Sequence, residues 1–479
     1  MRVIRSALPA AIAFALAGCA LAPPPQGEDL QKDSAPNRPI AAQWTAPGGL
    51  AGTATDRWLA TFNDKQLEAL AAEAIAYNFD LRVAAARVEQ AAAYQRVAAG
   101  TLWPQVNAMA RGGGKMGGDP SGLQGIGLFA NWEIDLWGRM RSGAKAADYQ
   151  FDSATLDAEF ARQSIVAQVA KGWFLATEAR LQRGIADESV KAAEGVVGLS
   201  QDRMRVGVGD EYDLTVANAS LYSFRDASQS LDQAYQQAVR SLEILVGRYP
   251  AAILAVPTDL PAPPPPVPVG MPSELLERRP DVVAAERRVA AAFYRTQESK
   301  AARLPRISLT ASLTSVSSEL FVLQERSNPV SSFGGSIMAP LFLGGQLQAQ
   351  VDIRTAEQKQ AIAEYGRIST RAFGEVENAL SSGFALDARE AFLRQAVAEN
   401  TRSLELSGIR YRVGSGDLRS VLQQNISLFS AQVNLVRIRS ERLVQRVNLH
   451  VALGGSFDEK PTVPPPPDPK AANESGTPK

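Results

Sequence analysis

The sequence predicts a mainly α-helical chain built as an internally duplicated helix–strand–strand–helix–helix unit, with alternating strands that suit either a half-buried sheet or a transmembrane β-barrel. Three observations lead there. The chain matches itself over two halves, each half holds a very long helical pattern ended by a Gly-rich turn, and each half holds a pair of alternating strands.

The self-match is in register over most of the chain. Asn78-Phe79-Asp80-Leu81 pairs with Arg279-Pro280-Asp281-Val282 at an offset of 201, and Arg87-Val88 and Pro104 meet Arg288-Val289 and Pro305 at the same offset. Trp137-Gly138 meets Leu343-Gly344 at 206, and Arg205-Val206-Gly207 meets Arg412-Val413-Gly414 at 207. The growth in offset between Pro305 and Gly344 predicts a longer loop in the second half. The first structural repeat is placed at 58–255, a Pro-rich linker at 256–272, the second repeat at 273–455 and a disordered Pro-rich tail at 456–479.

Residues 1–18 read as a secretory signal: Arg2 and Arg5 precede an apolar stretch too short to span a membrane. The one cysteine of 479 residues, Cys19, follows it directly. A lone thiol closes no internal disulfide, and with a single histidine, His450, it builds no Cys/His metal site. Leu16-Ala17-Gly18-Cys19 resembles the lipobox of bacterial lipoproteins, which implies cleavage before Cys19 and its acylation. Residues 19–57 are then a lipid-anchored N-terminal segment.

Within the first repeat the order is a helix over 64–99, strands over 104–112 and 124–136, a helix over 139–205, the turn VGVGD, and a helix to about 247. At about 1.5 Å per residue the longest helix reaches roughly 100 Å. One long helix beside two shorter ones stacked end to end makes a thin wall. The abundant alanine suits close helix approach rather than one thick core.

The strands supply the membrane argument. From Pro305, Ile307, Leu309, Ala311 and Leu313 face one way and Ser308, Thr310, Ser312 and Thr314 the other. Ile126, Leu128, Ala130, Trp132, Ile134 and Leu136 oppose Asn131, Glu133 and Asp135. The stretches from Pro104 and Ser332 alternate in the same way. Such strands fit any half-buried antiparallel sheet or a barrel with lipid outside and water inside. Four strands close no lumen, whereas three copies give twelve, so a membrane-spanning reading requires an oligomer. Fifty basic and fifty acidic residues cancel, and no basic face points to nucleic acid.

WEIDLWGR (132–139), APLFLGG (339–345), ERRPDVVAAERRVAAA (277–292), NFDLRVAAARVEQA (78–91) and YRVGSGD (411–417) resemble the hallmark segments of the outer-membrane efflux factor family. This is the TolC-like group, with its OprM/NodT-type lipoprotein branch, and the likeness runs from about Trp58 to Gly455. The resemblance implies a homotrimer sharing a 12-stranded β-barrel and an α-barrel. It implies passive export across the bacterial outer membrane, with an inner-membrane efflux pump and a periplasmic adaptor as partners, and no cofactor. The tips Arg205, Val206, Gly207, Gly209 and Asp210, and Arg412, Val413, Gly414, Gly416 and Asp417, resemble the family's adaptor-docking turns. The glycines allow the reversal through positive φ, and Asp210 and Asp417 cap the returning helices.

One departure concerns the gate. Relatives often carry a Leu-Asp-Ala-Gln-Arg-type run past the second tip, where this chain has Leu422-Gln423-Gln424-Asn425-Ile426. The usual Asp is Gln423 and the usual Arg is Ile426, so Asp213 and Arg419 join them as pore-gate candidates. Two rival readings are weaker. Ser142-Gly143-Ala144-Lys145 has the bare spacing of Ser–Lys acyl enzymes, with no supporting motif. A periplasmic coiled-coil adaptor or scaffold lipoprotein explains the helices but not the strands. Seven scattered methionines form no Met-rich metal relay.

Overall fold

The computed structural model describes residues 23–25, 27–35, 37, 40–47, 49, 50, 52, 56–111, 124–317 and 330–456. The signal peptide, Cys19 and all of the expected tail beyond Ser456 lie outside them.

Helix α1 (Gly27–Ser34) comes first, followed by a 3₁₀ turn at Trp58–Phe62. The first half then holds α2 (Lys65–Tyr77), α3 (Phe79–Gly100), β1 (Gln105–Arg111), β2 (Gln124–Ile134), α4 (Arg139–Arg205) and α5 (Glu211–Leu245). The second holds α6 (Leu275–Arg278), α7 (Pro280–Ala301), β3 (Arg306–Ser317), β4 (Val330–Met338), α8 (Gln346–Arg412) and α9 (Leu418–Ala452). α4 and α8 each have 67 residues, so each spans about 100 Å at 1.5 Å per residue. No described helix is long and apolar enough to cross a membrane.

The single helix expected over 64–99 is two. Asn78 ends α2 and caps α3: its side chain accepts from the N–H groups of Asp80 and Leu81 and donates to the Leu245 carbonyl at 2.8 Å. Spending both its amide oxygen and nitrogen this way fixes the break against the end of α5. The two loops that bear on the longer second-half loop, 112–123 and 318–329, lie outside the described residues. Among the described residues the extra length falls in β3, twelve residues against seven for β1.

Three apolar clusters hold the helices together. Around mid-height, Trp58, Phe62, Trp173, Phe174 and Leu242 are buried together, and Trp173 donates to the Asp64 carboxylate at 2.7 Å. A second cluster joins Leu30, Val267, Val269, Val289, Tyr365 and Leu449. A third lies near the tips, with Phe224, Tyr411, Leu418 and Leu422. The stretch read as a linker is docked, not free: Val256, Leu260, Val267 and Val269 are buried. The N-terminal segment straps across it. Trp44 donates to the Val269 and Gly270 carbonyls, and the Glu377 carboxylate accepts from the N–H groups of Thr45 and Ala46 at 2.8 and 2.7 Å. Those two N–H donors hold the Glu377 carboxyl below its ordinary range against the opposing effect of burial, the largest single influence.

The four strands form one antiparallel sheet in the order β1-β2-β3-β4, and β1 and β4 are its free edges.

Candidate functional site: the strand faces and the helical tips

Register decides what each face of the sheet carries. One row runs Val106, Ala130, Ala311, Phe333 and another Ile134, Ile307, Ile337. Trp132 stands opposite Leu309 in the same set. The other face has Gln105, Asn131, Thr310, Gly334 and the row Asn107, Phe129, Ser312, Ser332, in which the two serine hydroxyls lie 2.8 Å apart. The alternation read on each strand thus adds up across all four, because a pairing shift of one residue would mix the faces. The apolar face is uncovered: Ile337 is 73% and Phe333 79% exposed. A water-facing sheet would bury such a row, and lipid accepts it.

Asp135 and Leu136 do not extend β2 as expected. Asp135 turns out of the strand and accepts from the N–H groups of Met140 and Arg141 at 3.1 and 2.9 Å, capping α4 where Gly138 has no side chain to do so. Beside it Glu133 takes a bidentate ion pair from Arg139. Trp137 donates to the Pro305 carbonyl at 2.7 Å and so ties the foot of one half to the other. Ser142 is buried in the second turn of α4, and Lys145 pairs with Asp148 at 3.8 Å.

At the far end, α4 and α8 close in the same way. Gly207 has φ 79° and Gly414 φ 77°. The Gly207 N–H donates to the Met204 carbonyl and the Val208 N–H to the Arg203 carbonyl; Gly414 to Tyr411 and Ser415 to Arg410 repeat the pattern. These are paired Schellman closures. Gly209 and Gly416, expected to help through positive φ, act differently. A Cβ on Gly209 would lie 2.9 Å from the Met204 nitrogen, and one on Gly416 2.9 Å from the Arg410 Cβ, so these positions are glycine for close approach. Asp210 accepts from the Asp213 N–H at 2.7 Å and Asp417 from the Ser420 N–H at 2.8 Å. The Ser420 N–H and hydroxyl hold the Asp417 carboxyl below its ordinary range. Arg205, Val206, Arg412 and Val413 are exposed at the ends of these turns.

The two tips clasp each other within one protomer. The Arg203 guanidinium lies 4.7 Å from the Tyr411 ring centroid and donates to the Tyr411 carbonyl. The Tyr411 hydroxyl donates to Asp213 at 3.3 Å, and Arg419 donates to the Tyr212 hydroxyl at 2.7 Å. Of the gate candidates, Asp213 and Arg419 therefore meet in this clasp. Gln423 and Ile426 do not: they stand on the exposed stripe of α9, one and two turns beyond Arg419. Arg203, Tyr212 and Tyr411 were not singled out from sequence, since only the packing of the halves brings them together.

Comparison with known proteins agrees with this architecture. The sequence profile described as outer membrane efflux protein matches residues 70–248 and 271–455. The antibiotic efflux pump outer membrane protein ArpC of Pseudomonas putida is 30% identical, over 94% of this chain and 95% of its own. The cation efflux system protein CusC of Escherichia coli K12 is 29% identical, over 94% and 98%. The solved outer-membrane channel OprN superposes with a TM-score of 0.79 at 27% identity, covering 88% of this chain and 98% of that one. Two repeats with register-matched strand faces, and a profile that matches both, place the chain in the outer membrane efflux protein family.

Proposed function

We propose that the chain is the outer-membrane channel of a tripartite efflux system, through which substrates delivered by an inner-membrane pump and a periplasmic adaptor pass without energy input in the channel itself. The observation that carries this is the sheet: apolar rows on one face, hydroxyls and amides on the other, and both edges open. Three copies joined β4 to β1 make twelve strands and satisfy every edge. The uncovered apolar row favours the channel over the scaffold reading, because a periplasmic coiled coil has no use for such a sheet. Acylation at Cys19 anchors the N-terminal segment in the outer membrane beside the barrel.

In this arrangement the helices extend into the periplasm and their Gly-closed tips receive the adaptor. The exposed Val206, Val208 and Val413 offer it apolar contact between Arg205 and Arg412. The clasp of Arg203, Tyr411, Asp213, Tyr212 and Arg419 keeps the tips together at rest. Substrate choice belongs to the pump. The test is accumulation of a fluorescent pump substrate in cells lacking this chain but holding its pump and adaptor. Accumulation rises on deletion, and the intact chain restores export. Unchanged accumulation on deletion contradicts the reading.

A further inference from the structure

Each half lays its upper short helix on its own long helix, α3 on α4 and α7 on α8. α7 does more: it also packs on α4 of the other half, so it is wedged between two long helices. α3 has no comparable second neighbour among the described residues. The helices correspond residue for residue, because α3 and α7 both have 22 residues and α4 and α8 both have 67. The missing neighbour of α3 is therefore the counterpart of α4, which is α8, and within one protomer α8 lies on the far side of α7.

The surfaces agree. Ser142 and Ala146 on the α7-facing side of α4 are buried, whereas their counterparts Ala349 and Ile353 on α8 are exposed. Ala284 on α7 is fully buried, and its counterpart on α3, Val83, is 50% exposed. The α7–α4 junction is marked by Tyr149 stacked on Tyr294, with centroids 5.6 Å apart, and by an ion pair between Arg288 and Asp157. The tyrosines correspond to Ala356 and Ala93, so that contact is not repeated. The charges are: Arg288 corresponds to Arg87 and Asp157 to Glu364. Arg87 is exposed and makes no ion pair among the described residues.

We propose that Arg87 of one copy pairs with Glu364 of the next, seating α3 on the neighbouring α8 as α7 sits on α4, with the internal duplication serving as the template for the subunit seam. Arg288 already acts on Glu364 from its own side: the carboxyl is held below its ordinary range by Arg367 first and by Arg288 to a smaller degree. Closing the seam makes one belt around the ring in which Asp157, Arg288, Glu364 and Arg87 alternate in sign. The proposal rests on the reading of the channel as three copies.

An exposed ion pair adds little stability, so the seam is tested by specificity rather than by melting. Arg87→Glu and Glu364→Arg each place like charges at three seams and should lower the trimer fraction severalfold in detergent, by native mass spectrometry. The double reversal should restore it. Independently, mixing Arg87→Cys protein with Glu364→Cys protein during assembly should yield a covalent dimer with a short bismaleimide, and neither variant alone should. Trimers that show neither rescue nor cross-link overturn the seam and leave the three-copy reading standing. A wild-type protein that forms no trimer overturns both.

Discussion

Arg419 donates to the Tyr212 hydroxyl at 2.7 Å, and the two residues occupy the same position in the two halves, each the second residue of the helix returning from its tip. The duplication thus places unlike residues at one site and bonds them across the pseudo-symmetric pair. With the Tyr411–Asp213 bond and the Arg203 contacts to Tyr411 it makes the clasp between the tips.

Loosening that clasp should open the tip. Tyr212→Phe with Tyr411→Phe removes both hydroxyls and keeps ring volume, at a cost of about 1 kcal/mol for each hydrogen bond lost. Cells carrying the double variant should become sensitive to a large antibiotic that the outer membrane normally excludes, with trimer yield unchanged. Sensitivity equal to wild type would show that the clasp does not hold the tip closed.

Gln423 is exposed on the α9 stripe that continues from Arg419. If that stripe lines the narrow part of the pore, three copies bring three neutral amides together, and Gln423→Asp replaces them with three like charges that bind cations strongly. Block of the isolated channel by divalent cations should tighten in the variant. Equal block in both forms would place Gln423 away from the constriction.

His450 gives a pH dependence. It is buried against Trp58, ring centroids 5.8 Å apart, and burial, with Arg446 nearby, pushes its pKa down to about 3. The folded imidazole stays neutral while the unfolded one takes a proton below about 6.5. Stability from this residue is complete above pH 6.5 and is lost as pH falls toward 3. At pH 4.5 the loss is about 2–3 kcal/mol, before other groups are counted. His450→Phe should flatten the acid fall in thermal midpoint between pH 7.5 and 4.5. An unchanged slope would mean that His450 does not stay neutral in the fold.

The long helices were legible because their signals are local: α4 spans Arg139–Arg205 as the periodicity and the Gly turn predict. Strand faces were legible for the same reason, since alternation needs only neighbours. The break at Asn78 was missed, although its counterpart Arg279-Pro280 carried the signal: Pro280 opens α7 at a first-turn position where a missing N–H costs no intrahelical bond. The strap of Thr45 and Ala46 on Glu377 and the Tyr212–Arg419 bond had no such local trace. They join residues hundreds of positions apart, and their chemistry exists only after the halves pack. The roles of Gly209 and Gly416 were misread for a related reason, since the close approach that requires glycine is set by the preceding turn and not by φ.

The strand faces are tested by a neighbouring pair. Leu309 lies on the apolar face opposite Trp132, and Ser308 on the other face opposite Glu133. Leu309→Arg should cost roughly 2–4 kcal/mol near the membrane midplane and abolish outer-membrane assembly. Ser308→Arg should assemble. Equal assembly of the two, read by heat-modifiable migration of outer-membrane fractions, would remove β3 from the membrane.

The most direct measurement is single-channel recording of the purified full chain in planar bilayers. An outer-membrane export channel closed by its tips should insert and give discrete steps of small conductance, and the Tyr212→Phe/Tyr411→Phe variant should give larger ones. A chain that remains in aqueous buffer without detergent and produces no steps would contradict the channel itself.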